Sequence, residues 1–279
     1  MAKMKIKPIK TIHIPERVNF LETAAGKNYC VLGNKTKCYV LGSDFEIISQ
    51  FETPSGQNSH SVMHPNQPTI AIMGKDNTLC IVNIDGNELW IKQGEYIAAC
   101  WTLDEALLYT LLRIDPHKLK LLVYDNSGEL ISQKEFEDKL YESSALITPI
   151  PNSREMTLQL MAGQDGCLMA FVSLIDGGIT LRPLHQHYSY ACASFNSSGT
   201  RFLCIENDES SIHHFTYPEL NEIGAIQFDV SECNLGYTLI YAGDKAIVNY
   251  GERFYLLDIK TMTIAEELII EGHEPVPIS

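Results

Sequence analysis

The chain has 279 residues, of which 45% are hydrophobic and 20% are charged, a composition typical of a globular protein with a core. Its formal net charge of −14 disfavours nucleic acid as a partner, because an acidic surface repels phosphate groups. No apolar run reaches the roughly 18 residues that span a membrane, and no apolar segment follows the basic start as in a signal peptide. We therefore expect a cytoplasmic protein that binds neither nucleic acid nor membrane.

The charge is unevenly distributed along the chain. Residues 1–50 carry eight Lys/Arg and four Asp/Glu, whereas the remaining residues carry 13 and 31. Ordinary solvated charge explains this pattern. A basic N-terminal strand that meets an acidic surface is the alternative.

The first predicted element is a lone strand within residues 1–16, and six similar units follow it. The units span residues 17–54, 59–94, 97–136, 145–185, 190–229 and 233–272. Each unit contains four short runs, named a to d, which are rich in β-branched or aromatic residues. Turn residues bound these runs, which is the pattern of antiparallel strands joined by hairpins.

Three series of turn residues define the units, and each recurs at intervals of roughly 40–50 residues. The a–b turns contain Gly26, Asn66, Asp104, Asn152, Ser198 and Asp244. The b–c turns contain Asn34, Asp76, Asp115, Asp165, Asp208 and Gly251. The c–d turns contain Asp44, Asp85, Asp125, Asp176, Glu219 and Asp258. All three series lengthen between units three and four, which predicts an insertion there, and the best helix candidate, residues 135–143, falls within it.

Several of these segments resemble the WD-repeat superfamily of β-propellers. Residues 194–203 are similar to the family's a–b turn, in which a small polar loop with glycine precedes strand b, and residues 61–66 are similar to a strand a that enters its turn. Residues 123–130 and 254–261 are similar to a strand c that ends in aspartate. No Trp-Asp pair ends a strand c and no Gly-His pair opens a unit, so the family's His–Ser/Thr–Asp relay is not carried over.

The resemblance implies an all-β fold in which residues 1–279 form a single β-propeller of six four-stranded antiparallel blades, with seven blades as the alternative. It also implies that a strand from one chain end completes the last blade and removes an open sheet edge. The lone strand within residues 1–16 is one candidate. Unit six already contains its own strand d at residues 266–270, so the sequence leaves this choice open.

The eight cysteines form no CxxC pair, and most lie in apolar stretches. They are Cys30, Cys38, Cys80, Cys100, Cys167, Cys192, Cys204 and Cys233. We expect buried thiols in a reducing compartment. A cross-strand disulfide between Cys30 and Cys38 is the alternative.

Motifs for catalysis or cofactor binding are lacking in this sequence. It contains no G-x-S-x-G, P-loop or G-x-G-x-x-G motif, so we predict no catalytic residue and no cofactor. His185 and His187 would share one strand face, whereas His213 and His214 would lie on opposite faces, and neither pair has a third metal ligand fixed in sequence. We therefore predict no metal site.

The remaining candidate is a binding surface. In propellers the d–a and b–c loops share one face, and here the d–a loops are rich in histidine and tyrosine, which suit recognition of a protein partner. The candidate partner-binding residues are His60, Tyr96, Tyr141, His185, His187, Tyr188 and Tyr190. The alternative for Tyr188 and Tyr190 is that they simply begin strand a of unit five.

These observations favour a non-enzymatic scaffold or adaptor that binds another protein or peptide through the d–a/b–c face. A second hypothesis is a metal-dependent small-molecule hydrolase, because six-bladed lactonases share this architecture; Asp115, Asp165 and Glu209 in b–c loops would then hold the metal. A third is an accessory domain of a larger assembly.

Overall fold

The computed structural model describes most of the chain. The described residues are 2–6, 20–23, 30–33, 36–54, 58–104, 107–140, 142–162, 166–184, 190–206, 210–228, 235–250 and 253–270. They form 25 strands and no helix, and the strands assemble into six sheets. The described residues accordingly contain no helix that is long and apolar enough to cross a bilayer.

The first half of the chain contains β1 and three sheets. β1 spans Ala2–Ile6. Sheet 1 contains β2 (Phe20–Thr23), β3 (Cys30–Gly33), β4 (Lys37–Leu41) and β5 (Ile47–Glu52). Sheet 2 contains β6 (Asn58–Met63), β7 (Thr69–Gly74), β8 (Thr78–Asn83) and β9 (Glu88–Gln93). Sheet 3 contains β10 (Glu95–Trp101), β11 (Leu107–Asp115), β12 (Lys118–Asp125) and β13 (Leu130–Glu137).

The second half contains the other three sheets. Sheet 4 contains β14 (Ser144–Pro149), β15 (Met156–Met161), β16 (Cys167–Ile175) and β17 (Gly178–Pro183). Sheet 5 contains β18 (Tyr190–Phe195), β19 (Arg201–Glu206), β20 (Ser211–Thr216) and β21 (Glu222–Gln227). Sheet 6 contains β22 (Leu235–Ala242), β23 (Lys245–Tyr250), β24 (Arg253–Asp258) and β25 (Thr263–Ile270).

The four strands of each sheet pair antiparallel in sequence order. The first strands of neighbouring sheets contact one another, as in the pairs β2–β6, β6–β10, β10–β14 and β18–β22. The first strand of each sheet therefore lies innermost and the fourth lies outermost, which is the arrangement of a β-propeller. The prediction of an all-β fold with six four-stranded blades is confirmed, and the described residues form no seventh sheet.

Both candidate strands for the last blade belong to sheet 6. β25 is the fourth strand and pairs antiparallel with β24. β1 then adds a fifth, outermost strand and pairs parallel with β25, with Ala2 opposite Glu266 and Ile6 opposite Ile270. The N-terminal strand thus extends a blade that is already complete instead of supplying its fourth strand.

The predicted helix at residues 135–143 is wrong. β13 continues through Glu137, residues 139 and 140 form a turn, and residue 142 is a bend. The side chains of β13 alternate between exposed and half-buried, which is the period of a strand and not of a helix. Glu135 lies opposite Lys120 of the neighbouring strand β12. The strands of sheet 3 are long, with nine residues in β11 and eight each in β12 and β13. Their length accounts for part of the insertion that was predicted between units three and four.

The apolar core consists of five clusters, one at each interface between consecutive sheets from sheet 1 to sheet 6. The two faces of sheet 4 differ in composition. On the side of sheet 3, Leu158 and Leu160 belong to a mostly aliphatic cluster that includes Leu121 of sheet 3. On the side of sheet 5, the interface is rich in aromatic residues, most of them from sheet 5, and Phe202 of that sheet lies 5.7 Å from Phe171 in a nearly edge-on contact.

The a–b turns of sheets 4 and 5 are in direct contact. Asn152 donates its side-chain amide to the carbonyl of Ser197 at 3.3 Å. Gly199 has a φ of +69°, and a Cβ atom there would lie 1.9 Å from the carbonyl oxygen of Pro151. Because no other residue fits this approach, the glycine of the predicted a–b turn is required by packing as well as by backbone conformation.

The alternative disulfide between Cys30 and Cys38 is wrong. Cys38 is a buried thiol that forms no disulfide, and the register of β3 and β4 places it opposite Gly33, whereas Cys30 lies opposite Leu41. Buried thiols also occur at Cys80, Cys100, Cys167 and Cys204. Burial is the main cause that raises the pKa of Cys80 to about 12, so this thiol is a poor nucleophile at neutral pH.

Candidate functional site

A cleft of about 590 Å³ opens on the face where the innermost strands of sheets 2, 3 and 4 begin. We call it the 2–4 cleft. Its lining includes His60, Lys75, Glu95, Tyr96, Arg113 and residues 142–146. The beginnings of β6, β10 and β14 and the b–c turn of sheet 2 line this face, so it is the d–a/b–c face of the propeller.

Arg113 joins two sides of the cleft. The register of β10 and β11 places it opposite Glu95, and its guanidinium lies 3.0 Å from the Glu95 carboxylate. The other terminal nitrogen donates a hydrogen bond to the backbone carbonyl of Ser143, which precedes β14. Arg113 therefore connects sheet 3 to the segment that leads into sheet 4.

Asp138 fixes the shape of that segment. Its buried carboxyl group accepts hydrogen bonds from the backbone N–H of Leu140 at 3.1 Å, from the backbone N–H of Ser143 at 3.0 Å, and from the Ser143 hydroxyl at 2.8 Å. Glu142, with a φ of 48°, donates its backbone N–H to the carbonyl of Pro116. This wall of the cleft is thus held by defined hydrogen bonds on both sides.

The rim carries charges of both signs. Lys75 and Glu142 are exposed, and Glu95 is half exposed beside Arg113. Burial lowers the pKa of His60 from 6.5, which favours the neutral imidazole at pH 7. With Ile97 and Leu146 in the lining, the cleft combines polar and apolar surface, as ligand pockets do.

The structure describes three of the seven sequence-predicted partner residues. His60 and Tyr96 both line the 2–4 cleft. Tyr96 is only 5% exposed, and its hydroxyl lies 3.0 Å from that of Tyr124; burial is the main cause that raises its pKa. Tyr190 is 9% exposed, begins β18 and contacts Phe215 edge-on, so neither tyrosine is an exposed anchor.

The other four predicted residues lie outside the described residues. They are Tyr141, His185, His187 and Tyr188. Their role in partner binding stays a prediction.

A cluster of Ser211, His213 and two glutamates lies in sheet 5. The Ser211 hydroxyl is 2.7 Å from Nε2 of His213, and Nε2 is also 2.9 Å from the carboxylate of Glu206. Nδ1 of His213 lies 3.1 Å from a Glu222 oxygen, in a direction that forms no hydrogen bond. This spacing is similar to that of a nucleophile beside its base.

Two features argue against catalysis by this cluster. A carboxylate so close to Nε2 favours a proton on that nitrogen, which then cannot accept one from the Ser211 hydroxyl. Ser211 is also only 1% exposed, so no substrate reaches it in this structure. The cluster is therefore better explained as polar packing around His213.

The two adjacent histidines of β20 lie on opposite faces, as the strand pattern predicts. The ring of His213 contacts Tyr190 of its own sheet edge-on. His214 faces sheet 6 instead, where its Nε2 lies 3.2 Å from the Tyr241 hydroxyl. Burial, assisted by the charge of Arg201, lowers the pKa of His214 to about 4.

Of the three acidic residues considered for a metal site, the structure describes Asp115. Its carboxylate accepts the backbone N–H of His117 at 2.8 Å and thereby caps the turn between β11 and β12. Asp165 and Glu209 lie outside the described residues. Within the described part of the chain, no group of three or more His, Cys, Asp or Glu side chains is arranged to hold a metal ion.

Sequence comparisons give no relative for this chain, because no family model and no curated protein matches it. The structure is similar to the β-propeller domain of Cps50 (Swd1) from Myceliophteria thermophila. The TM-score is 0.61 at 12% sequence identity, and the match covers 86% of this chain and 82% of that one. At this identity the similarity establishes the fold class, a β-propeller, and nothing about what is bound.

Sequence reasoning missed most residues that build the cleft. Lys75, Arg113, Asp138 and Ser143 come from two sheets and a connecting segment, and their convergence depends on the stacking of sheets. Asp138 offered one local signal, since an aspartate five residues before a serine in a turn-rich segment favours hydrogen bonds to nearby backbone N–H groups.

Proposed function

We propose that this propeller is a non-enzymatic scaffold that binds an extended segment of a partner protein in the 2–4 cleft. The observation that carries the proposal is the position of the cleft on the d–a/b–c face, where the innermost strands of three sheets begin. A cleft of about 590 Å³ lies within the range of roughly 300–1,000 Å³ typical of ligand sites. It accommodates a few side chains of a peptide.

The fixed walls of the cleft support this function. Asp138 and Arg113 hold residues 142–144 in place before any partner arrives, so that little conformational entropy is lost on binding. The mixed lining favours a segment that combines charged and apolar side chains, because Lys75 and Glu142 each offer a charge beside Ile97 and Leu146.

Site-specific photo-crosslinking in the native cell tests the proposal. A crosslinking amino acid replaces Lys75 in one variant and Glu142 in another. Ser127, which is exposed in the c–d turn on the opposite face, is replaced in the control. We expect one partner protein to crosslink from both cleft positions and not from the control position. Equal capture from all three positions, or none from the cleft, would reject the proposal.

A second variant tests the sequence-predicted anchors. Replacing Tyr141, His187 and Tyr188 together with Ala should weaken capture of that partner while the melting temperature stays nearly unchanged, since large rigid side chains contribute strongly to interfaces. If this variant stays folded and captures the partner at full strength, those three residues are not part of the site.

A further inference from the structure

The outermost strand of sheet 6 differs from those of the other five sheets. β1 is the fifth strand of this sheet and pairs parallel with β25. Its other edge has no neighbouring strand among the described residues. A strand edge of this kind presents unpaired backbone N–H and C=O groups that another extended segment can pair with.

The side chains of β1 separate into two types. Lys3 and Lys5 share one face because side chains alternate along a strand, and Met4 lies on the other face. All three are exposed, Lys3 by 62% and Met4 by 41%. A segment that covers this edge would therefore meet positive charge on one face and apolar surface on the other.

The charge of the strand determines what can pair with it. Lys3 lies 3.5 Å from Glu267, which also lies 3.9 Å from Arg253, so this carboxylate is shared between two cations. No ion pair involves Lys5 within the described part of the chain. A second copy of β1 would place lysines beside lysines, and like charges across a strand pair are unfavourable.

We propose that the outer edge of β1 binds an extended acidic segment of a partner protein, in which acidic and apolar residues alternate. The acidic side chains pair with Lys3 and Lys5, the apolar ones cover Met4, and the backbone adds a sixth strand to sheet 6. This surface is separate from the 2–4 cleft, and the proposal does not depend on the cleft's function.

A labelled peptide provides the test, with fluorescence anisotropy as the readout. The probe is a nine-residue peptide of alternating Glu and Val, and the control peptide carries Lys in place of Glu. We expect the acidic peptide alone to bind the intact chain, with weaker binding at higher salt. Absence of binding up to about 1 mM peptide, or equal binding of both peptides, would overturn the proposal.

Matched variants locate the site. Lys3→Gln with Lys5→Glu should weaken binding of the acidic peptide about tenfold, because two charge contacts are lost or reversed. Arg154→Gln with Lys139→Glu makes the same change in net charge at exposed positions outside the 2–4 cleft and should alter binding less than about twofold. Equal losses in both double variants would show that net charge, and not the β1 edge, attracts the peptide.

Hydrogen exchange distinguishes strand pairing from loose attraction. Binding of the acidic peptide should slow amide exchange within residues 2–6 and leave residues 75–77 of the cleft unchanged. Lys5→Glu alone should also weaken binding of the acidic peptide. The amides of β1 that pair with β25 should remain protected from exchange in this variant, which would show that a charge contact was lost and that the strand did not detach. Anisotropy changes without protection of residues 2–6 would contradict strand addition.

Discussion

The two faces of sheet 4 show how this propeller is held together in different ways on either side of one blade. Against sheet 3 the contact is mostly aliphatic, with Leu158 and Leu160 near a recess of about 270 Å³. Against sheet 5 it is mostly aromatic, and the ring of Phe171 in sheet 4 lies 5.7 Å from that of Phe202 and 5.3 Å from that of Tyr217. A shared fold therefore does not require a shared packing motif, since each interface is filled by its own side chains.

The polar contacts differ as well. Between sheets 3 and 4, Lys134 donates to the carbonyl of Ile179, and Ser132 donates to that of Gly177. Between sheets 4 and 5, Arg182 lies over the ring of Tyr217 and donates to the carbonyl of Pro218. The candidate cleft lies on the aliphatic side, where a segment fixed by Asp138 connects the two sheets.

The largest expected effect is at the aromatic interface. Phe202→Ala should lower the free energy of unfolding by about 3–5 kcal/mol, because Phe202 is fully buried and contacts Phe171, Phe195 and Phe215. Urea unfolding followed by fluorescence measures the loss. A loss below about 1 kcal/mol would show that the aromatic cluster is not tightly packed.

At the aliphatic interface we expect a smaller loss. Leu158→Ala should cost about 2–4 kcal/mol, because the neighbouring recess lets surrounding side chains adjust and leaves less new cavity. The same urea titration on both variants makes the comparison direct. A loss equal to that of Phe202→Ala would remove the difference between the two interfaces.

The segment between sheets 3 and 4 is expected to depend on Asp138. Asp138→Ala removes the carboxyl group that accepts three hydrogen bonds. The buried N–H of Ser143 then loses its hydrogen bond to this carboxyl group. We expect a loss of about 2–3 kcal/mol. Ser143→Ala is the matched control, because it removes only the hydroxyl contact and should cost about 1 kcal/mol. Equal losses in the two variants would contradict the role assigned to the Asp138 carboxyl group.

The sequence predicted the fold well and the site poorly, for physical reasons. Turn residues such as Asn66, Asp104 and Ser198 report local backbone geometry, which sequence encodes directly, and β2 to β25 pair in the predicted antiparallel order a to d within each sheet. Contacts between sheets are not local. Nothing near Arg113 in sequence indicates that its guanidinium reaches Ser143, and the parallel pairing of β1 depends on a strand more than 250 residues away.

The burial of two predicted aromatic anchors could not be predicted for the same reason, because it depends on contacts between residues that are distant in sequence. Tyr96 and Tyr190 both stand at the beginning of an innermost strand. The sequence placed both in d–a loops, with the start of strand a as the alternative for Tyr190. Whether such a ring points to solvent depends on side chains from strands that are distant in sequence. Here Tyr96 contacts Tyr124 and Tyr190 contacts Phe215, each within its own sheet.

The interface of sheets 5 and 6 should differ from the other two in that its stability depends on pH, because it contains the buried His214. Burial favours the neutral form of His214 and lowers its pKa to about 4, whereas the unfolded chain takes up this proton near the ordinary pKa of 6.5. Its contribution to stability is thus complete above about pH 6.5 and is lost as the pH falls toward 4. His214→Gln should therefore show a smaller drop in melting temperature between pH 7 and pH 5 than the unchanged protein.

The matched control for this pH effect is His117→Gln, since His117 is exposed in the turn between β11 and β12. It should leave the drop in melting temperature between pH 7 and pH 5 unaltered. If both variants reduce the drop equally, burial of His214 is not its source.

The smallest expected effect concerns the outer strand of sheet 3. Glu135 lies 2.8 Å from Nζ of Lys118 and 2.7 Å from Nζ of Lys120, and hydrogen bonds from these lysines lower its pKa to about 2. The contribution of Glu135 is present above about pH 4.5 and is lost as the pH falls toward 2. Because all three side chains are partly exposed, solvent screens the pairs. Glu135→Gln should therefore lower the melting temperature at pH 7 by no more than about 2 °C, and 1 M salt should abolish the difference. A loss as large as that of Leu158→Ala would mean that charge pairs, and not apolar packing, hold sheet 3 in place.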